Sequence, residues 1–416
     1  MRFNLNWKPL KLFYGWWIVG ACFFIALYMG GAIYYGFTAF FEPIANEFGW
    51  TYTQISFAAS LRGLEMGLFA PFIGILVDRW GPRRLIFSGV VITSLALILL
   101  SQTASLHMFY GVFILMAIGV SACASTVLMT AVANWFRKKI GIANGIVACG
   151  YGFSGLLILA IVKLIDMYGW RIAVDVLGIG MLVICLPLAL LVRHKPEQYG
   201  YLPDGEVGSI STLSKALDSA QTVDVNFKLK QALKSRFFWR IALVLASQHM
   251  IVNAVVTHVM PYLGTVSVAR TKSKLVASTI PLMSIGGRLG LGWLGDRFDK
   301  RRLMASAFAM MVFGLLCFGC TSAIDTWLLV PFLILFAIGY GGISALRPSL
   351  VREFFGRSNF GTIFGFIMGI MMLGGIAGPL LAGFAFDNWG SYKAIWFVFA
   401  GLATAAGLVI ATTSPM

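Results

Sequence analysis

Twelve long apolar runs, six before a polar stretch and six after it, leave this chain few folds to choose from. They lie at about 14–41, 52–77, 84–102, 107–133, 140–163 and 171–192, then at about 237–263, 275–295, 303–322, 327–350, 358–385 and 392–412. A membrane-crossing helix needs roughly 20 apolar residues, and every run is near or above that length. In lipid each backbone polar group must be satisfied within its own element, so runs of this kind predict helices. Composition agrees: 59% of the residues are hydrophobic and 12% charged, where soluble chains carry about 25% charged residues. The fold class is therefore an all-α integral membrane protein, with twelve transmembrane helices in two six-helix repeats. The expected division is an N-terminal lobe over 1–193, a linker over 194–235 and a C-terminal lobe over 236–416. Pro196, Pro203 and Gly205 mark the linker, with an amphipathic piece near Phe227–Leu233.

The net charge of +16 does not read as a nucleic-acid footprint, because the basic residues fall in short loops between apolar runs. Of the 32 Lys and Arg, 23 lie on one side of the implied membrane, six on the other and three inside spans. Basic loops stay cytoplasmic, which puts both termini in the cytoplasm and the protein in a plasma membrane, for a bacterium the inner membrane. The first run is too long for a cleaved leader and ends in Glu42-Pro43, so no signal peptide is expected. All six cysteines lie in apolar segments, and Cys317 and Cys320 have no His nearby, so no disulfide, metal or redox site is expected.

The two halves share more than a count of runs. Gly74-Ile75-Leu76-Val77-Asp78-Arg79, followed by Arg83 and Arg84, recurs 218 residues later as Gly292-Trp293-Leu294-Gly295-Asp296-Arg297, followed by Arg301 and Arg302. Each copy joins the second and third run of its half. Gly lets helices approach closely, Asp can face a helix N-terminus, and the Arg cluster holds the loop at the membrane surface. Gly145 and Gly155 pair with Gly365 and Gly375, and Asp166-x-x-Gly169 pairs with Asp387-x-x-Gly390, the offset drifting only to 221. Gly361, Gly365 and Gly369 give the eleventh run a smooth face. Parallel repeats of this kind place a substrate between the halves at mid-membrane.

This doubled G-x-L-x-D-R-x-x-x-R-R pattern closely resembles the loop signature of the major facilitator superfamily. Trp135-Phe136-Arg137-Lys138-Lys139, then Ala143-Asn144-Gly145 and Gly150, resembles the signature of monocarboxylate transporters. Tyr14-Gly15-Trp16-Trp17-Ile18-Val19 and Tyr34-Tyr35-Gly36-Phe37-Thr38 resemble the first helix of that group and equally that of bacterial oxalate/formate antiporters.

Arg288, in the eighth run, lies eight residues before Asp296, about 12 Å into the membrane at 1.5 Å per residue. A guanidinium at that depth needs a partner or water, and its planar fork suits a carboxylate. The resemblance implies the same role for it, gripping the substrate carboxylate. It also implies aromatic cavity walls at Tyr34, Tyr35, Tyr151 and Tyr340, with Phe336 one turn before Tyr340. Three departures stand out. Ser284 replaces an Asp found four residues before this arginine in animal monocarboxylate carriers, Tyr35 stands where they have a Lys, and no basic residue lies between Arg357 and Lys393. One arginine at mid-cavity predicts a single carboxylate.

The remaining polar residues in the spans keep two readings each. Arg62 and Glu65 share a helix face, either as a structural ion pair or with Glu65 as a proton carrier. His249, Asn253 and His258 share a broad face of the seventh run, His249 as a further proton-coupling candidate and the other two as cavity lining. Arg347, before Pro348, reads as snorkelling or gating. Lys163 and Asp166 read as a surface pair.

The expected activity is secondary active transport of small organic monocarboxylates of the lactate and pyruvate kind, by alternating access with proton symport. The alternatives are an organic anion exchanger of the oxalate/formate type and a non-transporting membrane sensor. No phosphate loop for a primary pump is present, no enzyme or cofactor chemistry is indicated, and a monomer is expected to suffice.

Overall fold

The computed structural model describes residues 13–50, 54–55, 58, 65–199, 201–205, 229–322 and 324–413. Among these residues, eleven helical stretches are long and apolar enough to cross a membrane. The second run of the sequence, 52–77, is described only in part.

In the N-terminal half the helices are α1 (Tyr14–Met29), α2 (Phe37–Phe48), α3 (Ala70–Trp80), α4 (Pro82–Ser101), α5 (Leu106–Cys123), α6 (Ser125–Trp135), α7 (Ile140–Phe153), α8 (Gly155–Tyr168) and α9 (Trp170–Leu191). The short α10 (Leu229–Lys234) lies near the end of the polar stretch, where an amphipathic piece is expected. The C-terminal half holds α11 (Arg236–Thr265), α12 (Arg270–Gly295), α13 (Lys300–Cys320), α14 (Leu329–Phe355), α15 (Phe360–Trp389) and α16 (Lys393–Thr412).

Several observed helices outrun the apolar runs by a few residues, because charged residues extend the helix beyond the hydrocarbon. Lys300 to Arg302 form the first turn of α13, and the Asp299 carboxylate caps it by accepting from the amides of Arg301 and Arg302. Two π-helical turns interrupt the apolar spans, Gly30–Tyr35 between α1 and α2 and Glu65–Phe69 before α3. Such turns admit an extra residue into the ladder and recur at functional sites. Here they carry Tyr34 and Tyr35 in one case and Glu65 in the other.

The packing repeats between halves, as the sequence repeat demands. Helix α4 packs on α5 and α9, and its counterpart α13 packs on α14 and α16. Likewise α1 packs on α7, and α11 on α15. The halves meet through α3 against α15 and through α12 against α7. Both contacts use paired glycines at closest approach: a Cβ on Gly74 would collide with the Gly361 carbonyl oxygen, and one on Gly141 with that of Gly292. Both junctions begin at the end of the bundle that carries the basic loops.

Candidate functional site

Helices α12 and α14 run parallel and are in register. Gly341 of α14 abuts the Ser284 carbonyl, Gly342 the Leu291 side chain and Gly295 the Leu346 side chain. This fit sets Arg288 beside Tyr340. Arg288 is 6% exposed. Its Nη2 donates to the Tyr340 hydroxyl at 2.9 Å, and its Nη1 donates to the Ala148 carbonyl of α7, in the other half. Its Nε is buried with no hydrogen-bond partner. Arg288 thus stands where the two halves meet and keeps its Nε donor unused. Gly152 leaves room for it, since a Cβ there would stand 3.3 Å from Nη1.

Around this arginine the sequence candidates separate. Tyr151 on α7 packs edge-on to Tyr34 of the π-turn, ring centroids 6.3 Å apart. Both are partly exposed and lie on the side of α7 that faces α1. The Tyr35 side chain lies outside the description. His249 on α11 packs over Gly375 of α15 and lies within electrostatic reach of Arg347. The Asn253 amide, also near Gly375, donates to the His249 carbonyl at 2.9 Å.

Two expected site residues face elsewhere. His258 has both ring nitrogens engaged within the C-terminal half, Nε2 with the Pro379 carbonyl at 3.0 Å and Nδ1 with the Tyr392 hydroxyl at 3.3 Å. Phe336 is fully buried, stacked 5.4 Å from Phe332 and pressed on Gly314 of α13. It packs the core between α13 and α14. Arg62 lies outside the described residues, as does the Glu65 side chain, and with them the expected pairing of the two.

The loop motif is a lock between halves. The Asp78 carboxylate accepts from the amides of Gly361 and Thr362 at 3.0 and 2.6 Å and from the Thr362 hydroxyl at 2.7 Å. It caps α15, whose N-terminal amides are otherwise orphaned. The Asp296 carboxylate does the same for α7, accepting from Gly141 at 2.6 Å and Ile142 at 2.9 Å. Asp78 is one residue past its apolar run, and burial pushes its carboxyl up to about 6, against the hydrogen bonds from Thr362 and Gly361. Burial raises Asp296 too, opposed by the Ile142 and Gly141 amides. The arginines of the motif stay outside this contact. Arg79, Arg83 and Arg84 are exposed. Arg297 lies over the Trp293 ring at 4.0 Å, and Arg301 pairs with Asp299 at 2.6 Å and reaches the Thr413 carbonyl.

Residues not singled out from sequence complete this end. Asp204 accepts from the amides of Arg137, Lys138 and Lys139 at 3.0, 2.8 and 3.3 Å. Glu197 of the polar stretch pairs with Arg357 of the C-terminal half through both terminal guanidinium nitrogens, at 2.5 and 3.1 Å. Burial works against the Glu197 charge, yet Arg357 holds its carboxyl below the ordinary range.

A pseudo-twofold pair of helix caps closing one end, above a buried arginine between two six-helix halves, is a transporter's geometry. The family model of the Major Facilitator Superfamily matches residues 16–289 and 266–415. The chain belongs to the major facilitator superfamily. It is a multi-pass membrane transporter and not an enzyme. Among curated relatives it is 26% identical over 401 residues to "Monocarboxylate transporter 12-B" of Danio rerio, covering 92% of this chain and 84% of that one. It is 25% identical to "Uncharacterized MFS-type transporter YcxA" of Bacillus subtilis, covering 90% of each. Among solved structures it superposes on the proton:xylose symporter XylE with a TM-score of 0.75 at 13% identity, covering 95% of this chain and 94% of that one. The outward conformation of FucP gives a TM-score of 0.70 at 14% identity, covering 96% and 100%. At these identities the structural likeness speaks for the fold.

Proposed function

We propose that this transporter carries small organic carboxylates across the membrane, with Arg288 holding a substrate carboxylate. The observation that carries the reading is the unused Nε of a buried guanidinium at the junction of the halves. Nε and Nη2 form one planar edge of the fork, and a carboxylate is the anion whose two oxygens match it. Tyr340 and the Ala148 carbonyl hold the arginine in place until the substrate arrives. The names of the curated relatives support monocarboxylates; we take these to be of the lactate and pyruvate kind, moved together with a proton. Glu65 and His249 are the candidates to carry that proton, with Arg62 setting the charge of Glu65. Exchange of organic anions is the second reading, favoured by Ser284 standing at the place of the relay Asp. Transport by one monomer, lobes over 1–193 and 236–416 joined by 194–235, and cytoplasmic termini in a bacterial inner membrane complete the proposal, the last resting on the basic loops.

The test is counterflow in proteoliposomes with lactate, pyruvate, acetate, formate and oxalate. Arg288→Lys keeps the charge but loses the fork, and a charge-assisted hydrogen bond is worth roughly 1.5–3 kcal/mol. Its apparent affinity should fall about tenfold or more. Unchanged uptake in Arg288→Ala would remove Arg288 from the site.

A further inference from the structure

The sequence counts one arginine at mid-cavity, but the structure directs two guanidinium groups toward it. Arg347 is seven residues from Tyr340 on α14, two turns along the same face and about 10 Å nearer the basic end. Side chains on a helix lean toward its N-terminus, which for α14 is the direction of Tyr340 and mid-membrane. The Arg347 guanidinium follows that rule. Its Nη1 reaches the Met371 sulfur of α15 at 3.4 Å, and its carbon lies 5.9 Å from the centre of the Phe364 ring. It sits within electrostatic reach of Arg288, Tyr340 and His249. Snorkelling would need the opposite orientation, out to the basic loops.

Among the described residues, nothing around Arg347 compensates its charge. A thioether is a weak acceptor, and the Nε is buried without a partner. Neither Arg347 nor Arg288 makes an ion pair with any described residue. Both carry an unpartnered buried Nε. Two like charges in one low-dielectric cluster are costly unless something anionic joins them. A monoanion on Arg288 leaves Arg347 uncompensated.

We propose that Arg347 is a second anion-binding residue of the same site and that it selects short dicarboxylates over monocarboxylates. The proposal rests on the carboxylate reading of Arg288 and puts short dicarboxylates in place of its monocarboxylates. One carboxylate takes the open edge of Arg288, the other displaces the Met371 sulfur from Arg347, and the Tyr340 hydroxyl lies between them on the same helix face.

The test measures binding to the purified full-length protein by ligand-induced thermal stabilisation at fixed ionic strength. The probes are malonate, succinate and glutarate against acetate, lactate and pyruvate, with sulfate as an inorganic control. The wild type should bind at least one dicarboxylate about tenfold or more tighter than any monocarboxylate, the size of one charge-assisted contact. Arg347→Gln should erase that preference, weakening the dicarboxylate about tenfold or more beyond whatever it takes from the monocarboxylates. Arg347→Lys keeps the charge, and should retain part of the preference even if Arg347→Gln folds poorly. Monocarboxylates binding as tightly as dicarboxylates in the wild type, or equal losses for both classes in Arg347→Gln, would overturn the assignment of Arg347 and leave Arg288 standing. Stabilisation by sulfate alone would overturn both.

Discussion

The two junctions at the basic end are built from one repeated motif, yet they are not equal. In each, an aspartate at the end of a glycine-bearing helix caps a helix of the other half, Asp78 in the last turn of α3 on α15 and Asp296 just past α12 on α7. The first junction has an additional donor, the Thr362 hydroxyl, where the second has the aliphatic Ile142. The second junction has help from elsewhere: Asp204, in the polar stretch, caps the loop that leads into α7. The linker holds both, through Asp204 at the second and the Glu197–Arg357 pair at the first, and only the first adds a side-chain donor of its own. The repeat therefore fixes the geometry of closure, and single positions outside the motif set how strongly each side holds.

The largest change should come from adding a methyl at either glycine crossing. Gly74→Ala places a Cβ into the Gly361 carbonyl, and Gly141→Ala into that of Gly292. Overpacking typically costs about 1–3 kcal/mol, and here backbone faces backbone, with no rotamer to yield. Spin labels at the exposed positions Arg84 and Arg302 should report a wider spacing in both variants, with counterflow reduced about tenfold or more at that energy. An unaltered distance distribution in either one would show that its glycine crossing does not set the closed state.

A smaller effect should separate the two caps. Asp78→Asn and Asp296→Asn each put an NH2 group, which unlike a protonated carboxyl cannot accept, in place of one acceptor oxygen, at about 1 kcal/mol for each bond lost. The Asp78 variant should open the basic end further, because the Thr362 hydroxyl loses its anionic acceptor as well. Thr362→Val should cost about 1 kcal/mol, one ordinary hydrogen bond, and bring the junctions to parity. Wider opening in Asp296→Asn than in Asp78→Asn would show that the Thr362 hydroxyl does not set the difference between the caps.

The smallest expected effect is a pH response, and it should belong mainly to the first junction. The closed state holds the Asp78 carboxyl at about 6, above the ordinary 3.8 of a hydrated aspartate. A group whose value is raised in one state favours that state at low pH, so closure should strengthen as pH falls through about 6 and lose that gain as pH rises through the same value. Asp296 is raised in the same direction and should add a residual response. The label distance followed from pH 8 to pH 4 should shift toward the closed spacing in the wild type and far less in Asp78→Asn. An equal slope in the two proteins would place the titrating group elsewhere.

Much of this molecule can be read from its residues, for reasons of scale. The membrane leaves an apolar run no choice but a helix, basic loops mark one face, and a motif repeated at a fixed offset implies two halves that pack alike. Gly74, Asp78, Gly292 and Asp296 carry their role in their chemistry, since a small residue followed by a carboxylate suits a helix crossing that must be capped. Arg288 was conspicuous because a guanidinium inside a span demands a reason.

What the tertiary structure decided is which of two faces a side chain meets. His258 and Phe336 sit at helical positions that could have lined the centre, but His258 turns to Pro379 and Tyr392, and Phe336 to Gly314. Periodicity defines a face; the neighbouring helix decides whether that face is core or site. Arg347 shows the converse. Its place beside Pro348 near a helix end reads as a residue for the surface, and only the register of α14 against α12 and the nearness of α15 turn it inward to Met371. The caps depend on the same kind of information, because Thr362 lies 284 residues from Asp78. Local sequence sets the helices and their chemistry, and the packing angle between helices, a sum over many weak contacts, sets which groups meet.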